Sequence, residues 1–110
     1  MCDFQTLYHH NDHGYVVRCA HCNNIQIGFG NMMLTFPRDE FDAFRFWLKQ
    51  MQEMYADTEM PEYKKGIVIP TPCDGIKLLF SKTELASFNS MLENADTEMQ
   101  SLELISLFEI

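Results

Sequence analysis

Apolar and polar positions alternate in short runs over the first third of the chain, and the period then lengthens to that of a helix. Phe4 to His10 is rich in aromatic and β-branched residues. It is followed by Asn11-Asp12-His13-Gly14, a turn cluster in which Gly14 can take positive φ. Tyr15 to Cys19 resumes the strand pattern, which predicts a hairpin. Asn24 to Phe29 alternates with Ile25 and Ile27 on one face, and Gly28 and Gly30 bracket Phe29 as at a bulge or tight turn. Met32 to Phe36 reads as the next strand. From Pro37 or Arg38, the residues Phe41, Phe44, Leu48, Met51 and Tyr55 form one stripe of an amphipathic helix. Asp39 and Glu40 stand in its first turn, where the helix dipole favours acids. Trp47 and Met54 widen the stripe, and Phe46 lies off it.

The plan then recurs. A polar connection, Ala56 to Gly66, leads to the strand Ile67-Val68-Ile69, the punctuating Pro70 and Pro72, an Asp74-Gly75 turn and a strand over Ile76 to Phe80. Ser81-Lys82-Thr83-Glu84 has the spacing of a capping box. Leu85, Phe88, Leu92 and Ala95 follow at helical spacing, with Asn94 and Asp96 read as the end of the helix. Met99 to Ile110 is expected to be a separate short helix packed on the body. The acids of both helices are assigned to their solvent faces.

Laid on each other at an offset of 44, residues 32–49 and 76–93 share five identical positions of eighteen: Leu34/Leu78, Phe36/Phe80, Glu40/Glu84, Phe44/Phe88 and Leu48/Leu92. Ordinary residue frequencies would give about one. Ile25 also falls on Ile69, so the repeat is read over about 25–55 and 69–96. The predicted fold is α+β: a mainly antiparallel sheet with two helices on one face. It consists of two ββα-like repeats after an N-terminal hairpin, in a single domain of residues 1–110. Two amphipathic strand–helix units without shared descent would show much of the same pattern, so ancestry stays open. Where the first copy has Phe46, the second has Ser90. Phe46 is expected to cover the sheet edge or the C-terminal tail, or else to touch another subunit or partner.

Sixteen acids against eight Lys plus Arg give a net charge of -8, which argues against a general nucleic-acid surface. No apolar run approaches the roughly 20 residues of a membrane helix. With no basic, apolar leader at its start, the chain is expected to be cytoplasmic. In that setting Cys19-Ala20-His21-Cys22 points to metal or redox chemistry rather than a structural disulfide. Thioredoxin-like pairs sit at a helix N-terminus, which lowers the thiol pKa, and no helix is predicted here. A zinc knuckle fits better, since two thiolates at this spacing reach one ion from a tight turn. Pairing His10 with Tyr15 across the hairpin sets Thr6 opposite Cys19 and Cys2 beside Asn23, which makes Cys2 the third ligand. The fourth position is open, with Cys73 the remaining cysteine. Reduced thiols, with Cys19 and Cys73 packed as small apolar groups, are the alternative. His9, His10 and His13 read as solvated turn residues, about 10 Å or more from Cys19 at strand rise.

The run Arg18-Cys19-Ala20-His21-Cys22-Asn23-Asn24-Ile25-Gln26-Ile27-Gly28-Phe29-Gly30-Asn31, with the stretch from Pro70 to Leu92 and the apolar C-terminus, resembles a family of small bacterial proteins of unknown function. That family carries no known activity, so the resemblance implies no catalytic residues. The Cys-x2-Cys also resembles zinc ribbons in general, although a second such pair is missing. The expectation is a non-catalytic interaction or regulatory module with a zinc-stapled hairpin and a protein partner or self-association. A metal-dependent or thiol-redox enzyme using Cys2, Cys19 and Cys22 is the runner-up, and a zinc-ribbon nucleic-acid binder the third reading.

Overall fold

The computed structural model describes residues 3–108. Its elements run β1 (Phe4–His10), β2 (Gly14–Cys19), β3 (Ile25–Phe29), β4 (Met32–Phe36), α1 (Arg38–Ala56), β5 (Ile67–Pro70), β6 (Lys77–Phe80) and α2 (Lys82–Ser106). The fold is α+β, with a four-stranded antiparallel sheet in the order β1-β2-β3-β4 and a separate two-stranded antiparallel sheet, β5-β6. The single sheet expected from the repeat is therefore replaced by two. They meet through aromatic rings: Phe29 at the end of β3 lies 5.6 Å from Phe80 at the end of β6, centroid to centroid.

Cross-strand rows show which face is buried. Val16 pairs with Ile27 and Ile27 with Leu34, while Arg18, Ile25 and Phe36 form the next row. Residues opposite one another share a face, and Val16, Ile25, Ile27 and Phe36 all join the core. The first hairpin departs from the expected register. His10 pairs with Gly14, and Phe4 rather than Thr6 faces Cys19, because the register shifts between Thr6 and Tyr8. That bulge brings Leu7 into the buried core and packs Tyr8 against it, which strict alternation would forbid. Two glycines make the sheet possible. Gly14 holds φ +143°, and a Cβ there would stand 1.9 Å from the Gly28 carbonyl oxygen. Opposite Tyr15, a Cβ on Gly28 would come within 2.2 Å of the ring.

The two hairpin–helix units are built alike. Each sets an isoleucine opposite the phenylalanine that leads into its helix, Ile25 with Phe36 and Ile67 with Phe80. Ile67, not Ile69, thus stands where Ile25 does, since the second hairpin carries the longer loop. Phe41 and Leu48 of α1 and Leu85 and Leu92 of α2 are all buried. The helices pack along each other, and α2 also crosses β1 and β2. Phe88 occupies the junction, with ring centroids 4.9 Å from Phe29, 6.2 Å from Phe44 and 5.4 Å from Phe80.

The predicted cap forms. Ser81 Oγ accepts from the Glu84 amide at 3.1 Å, and the Glu84 carboxylate accepts from the Ser81 amide at 2.9 Å. Downstream, α2 does not stop at Asn94 or Asp96. It continues unbroken to Ser106 in place of the separate short helix that was expected. No Gly or Pro follows Gly75 to end it, and Asp96 turns inward rather than capping.

Truncating the central ring, Phe88→Ala, should cost about 3–5 kcal/mol in urea denaturation, whereas Phe46→Ala should stay within about 0.5 kcal/mol. Glu84 offers a pH test. Burial raises its pKa, but hydrogen bonds from Lys65 and the Ser81 backbone outweigh this and hold it below 4.5. A carboxyl lowered in this way stabilises the fold above its unfolded pKa, and the contribution fades as pH falls through the folded value. The gap in denaturation midpoint between wild type and Glu84→Gln should therefore be full at neutral pH and close on acidification below the ordinary carboxylate range.

Candidate functional site

The cysteine turn is a product of the β2–β3 connection. β2 ends on Cys19, whose amide donates to the Asn24 carbonyl at 2.9 Å and whose carbonyl accepts from the Asn23 amide at 2.9 Å. Asn23 sits at φ 62°, a left-handed conformation that asparagine tolerates better than most residues. The closed turn carries Cys19, which is buried, and Cys22, which is exposed. The start of β1 lies against it: the Ala20 amide donates to the Asp3 carbonyl at 2.8 Å, and His21 Nε2 stands 3.2 Å from Asp3 Oδ2.

Of the four cysteines, the structure therefore brings Cys19 and Cys22 onto one turn. Cys73 is exposed in the β5–β6 loop, where its carbonyl accepts from Thr71 Oγ1 at 3.0 Å and from the Ile76 amide at 3.0 Å. Cys2, whose expected place is beside Asn23, lies outside the described residues. Among the described residues, no group of three or more His, Cys, Asp or Glu side chains is arranged to hold a metal ion. At the hairpin tip, His10 and His13 have ring centroids 4.4 Å apart, and His10 Nδ1 accepts from the Asp12 amide at 3.1 Å.

A second polar cluster escaped the sequence. Asp96, only 7% exposed, faces inward from α2. Arg45 Nη1 reaches it at 3.2 Å, Arg38 Nη1 at 3.9 Å, and Gln100 Nε2 donates to it at 2.6 Å. Two turns on, Glu103 pairs with Arg18 at 3.1 Å and with Arg38 at 3.5 Å. Arg18 also donates to Gln5 Oε1 at 2.6 Å, and Arg38 pairs with Asp42 within α1. Three arginines on β2 and α1 thus clasp two acids of α2. The assignment of all helix acids to solvent fails at Asp96. One signal was available: Asp96 shares a helix face with Leu92, Met99 and Glu103 at steps of four, three and seven.

Phe46 stands beside this cluster, 66% exposed. With Arg38, Asp42, Arg45, Lys49, Asp96 and Gln100 it lines a surface cleft of about 400 Å³. Lys65 and Lys77 line one surface cleft with Glu84: Lys65 pairs with Glu84 at 2.8 Å, and Lys77 donates to the Asp74 carbonyl at 3.4 Å.

Removing Asp96 leaves Arg45 half-buried opposite no charge. Asp96→Ala should therefore cost about 1–3 kcal/mol in chemical denaturation, more than Glu53→Ala on the exposed face of α1.

Neither the curated proteins nor the solved structures contain a match to this chain. A model of a family of unknown function (DUF6686) matches residues 1–110. The expected membership of a family of unknown function holds over the matched residues, and the chain belongs to the DUF6686 family.

Proposed function

We propose that this protein is a small, non-catalytic interaction or regulatory module whose N-terminal hairpin is stapled by zinc. Cys2, Cys19 and Cys22 supply thiolates, and Cys73 is the remaining cysteine for the fourth position. A reducing, cytoplasmic setting keeps these thiols available for metal. What supports the staple is the β2–β3 turn. It sets Cys19 and Cys22 three residues apart in a hydrogen-bonded loop, and Asp3, the chain neighbour of Cys2, is tied to Ala20 in that loop. A thiolate pair at this spacing is a familiar half of a tetrahedral site. Zinc held there contributes to folding, roughly 10–16 kcal/mol in isolated finger peptides and less where the fold already stands.

The interaction reading is carried by exposed apolar surface. Phe46 on α1 and Leu104, Ile105, Leu107 and Phe108 at the end of α2 are each at least 55% exposed. Side chains of this size, left uncovered in a run at a helix end, mark contact surface for a protein partner or a second copy.

The test is elemental analysis of untagged protein purified under reducing conditions. Stoichiometric zinc is expected, lost in Cys19→Ser together with a fall in melting temperature. Wild type without zinc, or Cys19→Ser with its zinc intact, would end the proposal. Cys73→Ser reports on the fourth ligand by the same measurement.

A further inference from the structure

α1 carries a second surface that the sequence did not single out. Glu40, Ala43, Phe44 and Trp47 form one helical face and line an open groove of about 360 Å³ with Phe36, Pro70, Thr71 and Pro72. Its aromatic wall is a stack. The rings of Phe36 and Phe44 lie 4.7 Å apart at 27°, and those of Phe44 and Trp47 lie 6.4 Å apart at 24°. The opposite wall is poor in donors. Pro70 and Pro72 have no N–H, and the Thr71 hydroxyl is engaged with the carbonyls of Cys73 and Ile76 at 3.0 and 2.7 Å. Glu40 is the groove's one ionised group. Among the described residues it makes no ion pair, although its neighbour on the helix, Arg38, pairs with Asp42, Asp96 and Glu103.

An apolar trough walled by aromatic rings, with one carboxylate at its rim that no cationic side chain pairs with among the described residues, suits a cation on an aliphatic stem. The stem covers apolar area, and the carboxylate takes the head. The groove is open along the surface, which admits a chain segment. A second copy of this protein would bring a net charge of -8 to a site that already holds an acid. We propose that the groove between the Glu40, Ala43, Phe44 and Trp47 face of α1 and residues 70–72 docks an extended segment of a partner protein through a lysine or arginine. The head of that side chain meets Glu40 and its stem lies on Phe44 and Trp47. Cys73 adjoins the groove wall at Pro72 and bonds to Thr71, so the test below is run on metal-free and on zinc-loaded protein, with the same outcomes required of both.

Trp47 is the only tryptophan, so its fluorescence reports on this groove directly. The full chain is titrated with an acetylated lysine–proline hexapeptide and with its glutamate–proline counterpart. The lysine peptide should give a saturable change in Trp47 emission and the glutamate peptide none. Glu40→Gln should weaken binding about two- to fivefold, the scale of one exposed ion pair. Glu53→Gln, the same charge change elsewhere on α1, should leave it unchanged. The proposal is overturned by the absence of a saturable change, by an equal response to the glutamate peptide, or by equal affinity in Glu40→Gln and wild type. Emission that changes with protein concentration in the absence of peptide would assign the groove to a second copy and overturn it as well.

Discussion

The structure depends on the burial of one ring. Phe88 lies against Phe29 from the four-stranded sheet, Phe80 from the two-stranded sheet and Phe44 from α1. The two sheets share no backbone ladder, so side-chain packing has to join them. Edge-to-face and tilted aromatic contacts add to the area that each ring buries. A chain of 110 residues has a modest core, and a ring shared by three other aromatic residues makes one buried side chain serve four elements.

Charge holds what the rings do not reach. Leu102 still packs against the core beyond Met99, and beside this apolar row Arg18, Arg38 and Arg45 pair with Asp96 and Glu103 of α2. Asp96 is well covered, and its cost of burial is offset by two arginines and Gln100. Glu103 is half exposed, so its pairs contribute less to stability than to orientation. The clasp directs the second half of α2 across β1 and β2. It also carries the last apolar residues of the helix past the body of the protein, where Leu107 and Phe108 stay exposed.

Function follows from what this arrangement leaves open. The cysteine turn, the Phe46 cleft and the Trp47 groove lie on different parts of the surface and differ in chemistry: thiols, arginines and an aromatic trough with one acid. α1 lines the last two. Because its buried stripe is narrow, Trp47 at its flank and Phe46 on the exposed side can meet different environments while Leu48 stays in the core. Membership of the DUF6686 family attaches no reaction to any of these surfaces, so the assignments rest on side-chain chemistry.

By itself the sequence determined the local structure. Alternation marked the strands, the Phe41-to-Tyr55 stripe marked α1, and Ser81 with Glu84 marked the start of α2, because each depends on residues a few positions apart. The cysteine turn was legible for the same reason: both of its thiols and Asn23 belong to one short loop. Tertiary structure decided the rest. The bulge at Leu7 depends on what the core requires of β1, and the break between the two sheets depends on where Phe29 and Phe80 meet. Asp96 looked like a helix end until Arg45, distant in sequence, stood opposite it. The groove beside Trp47 needed Pro70 and Pro72 brought against α1. Contacts between residues far apart in the chain leave no period in the sequence, so only the packed fold could choose among the partners that composition allowed.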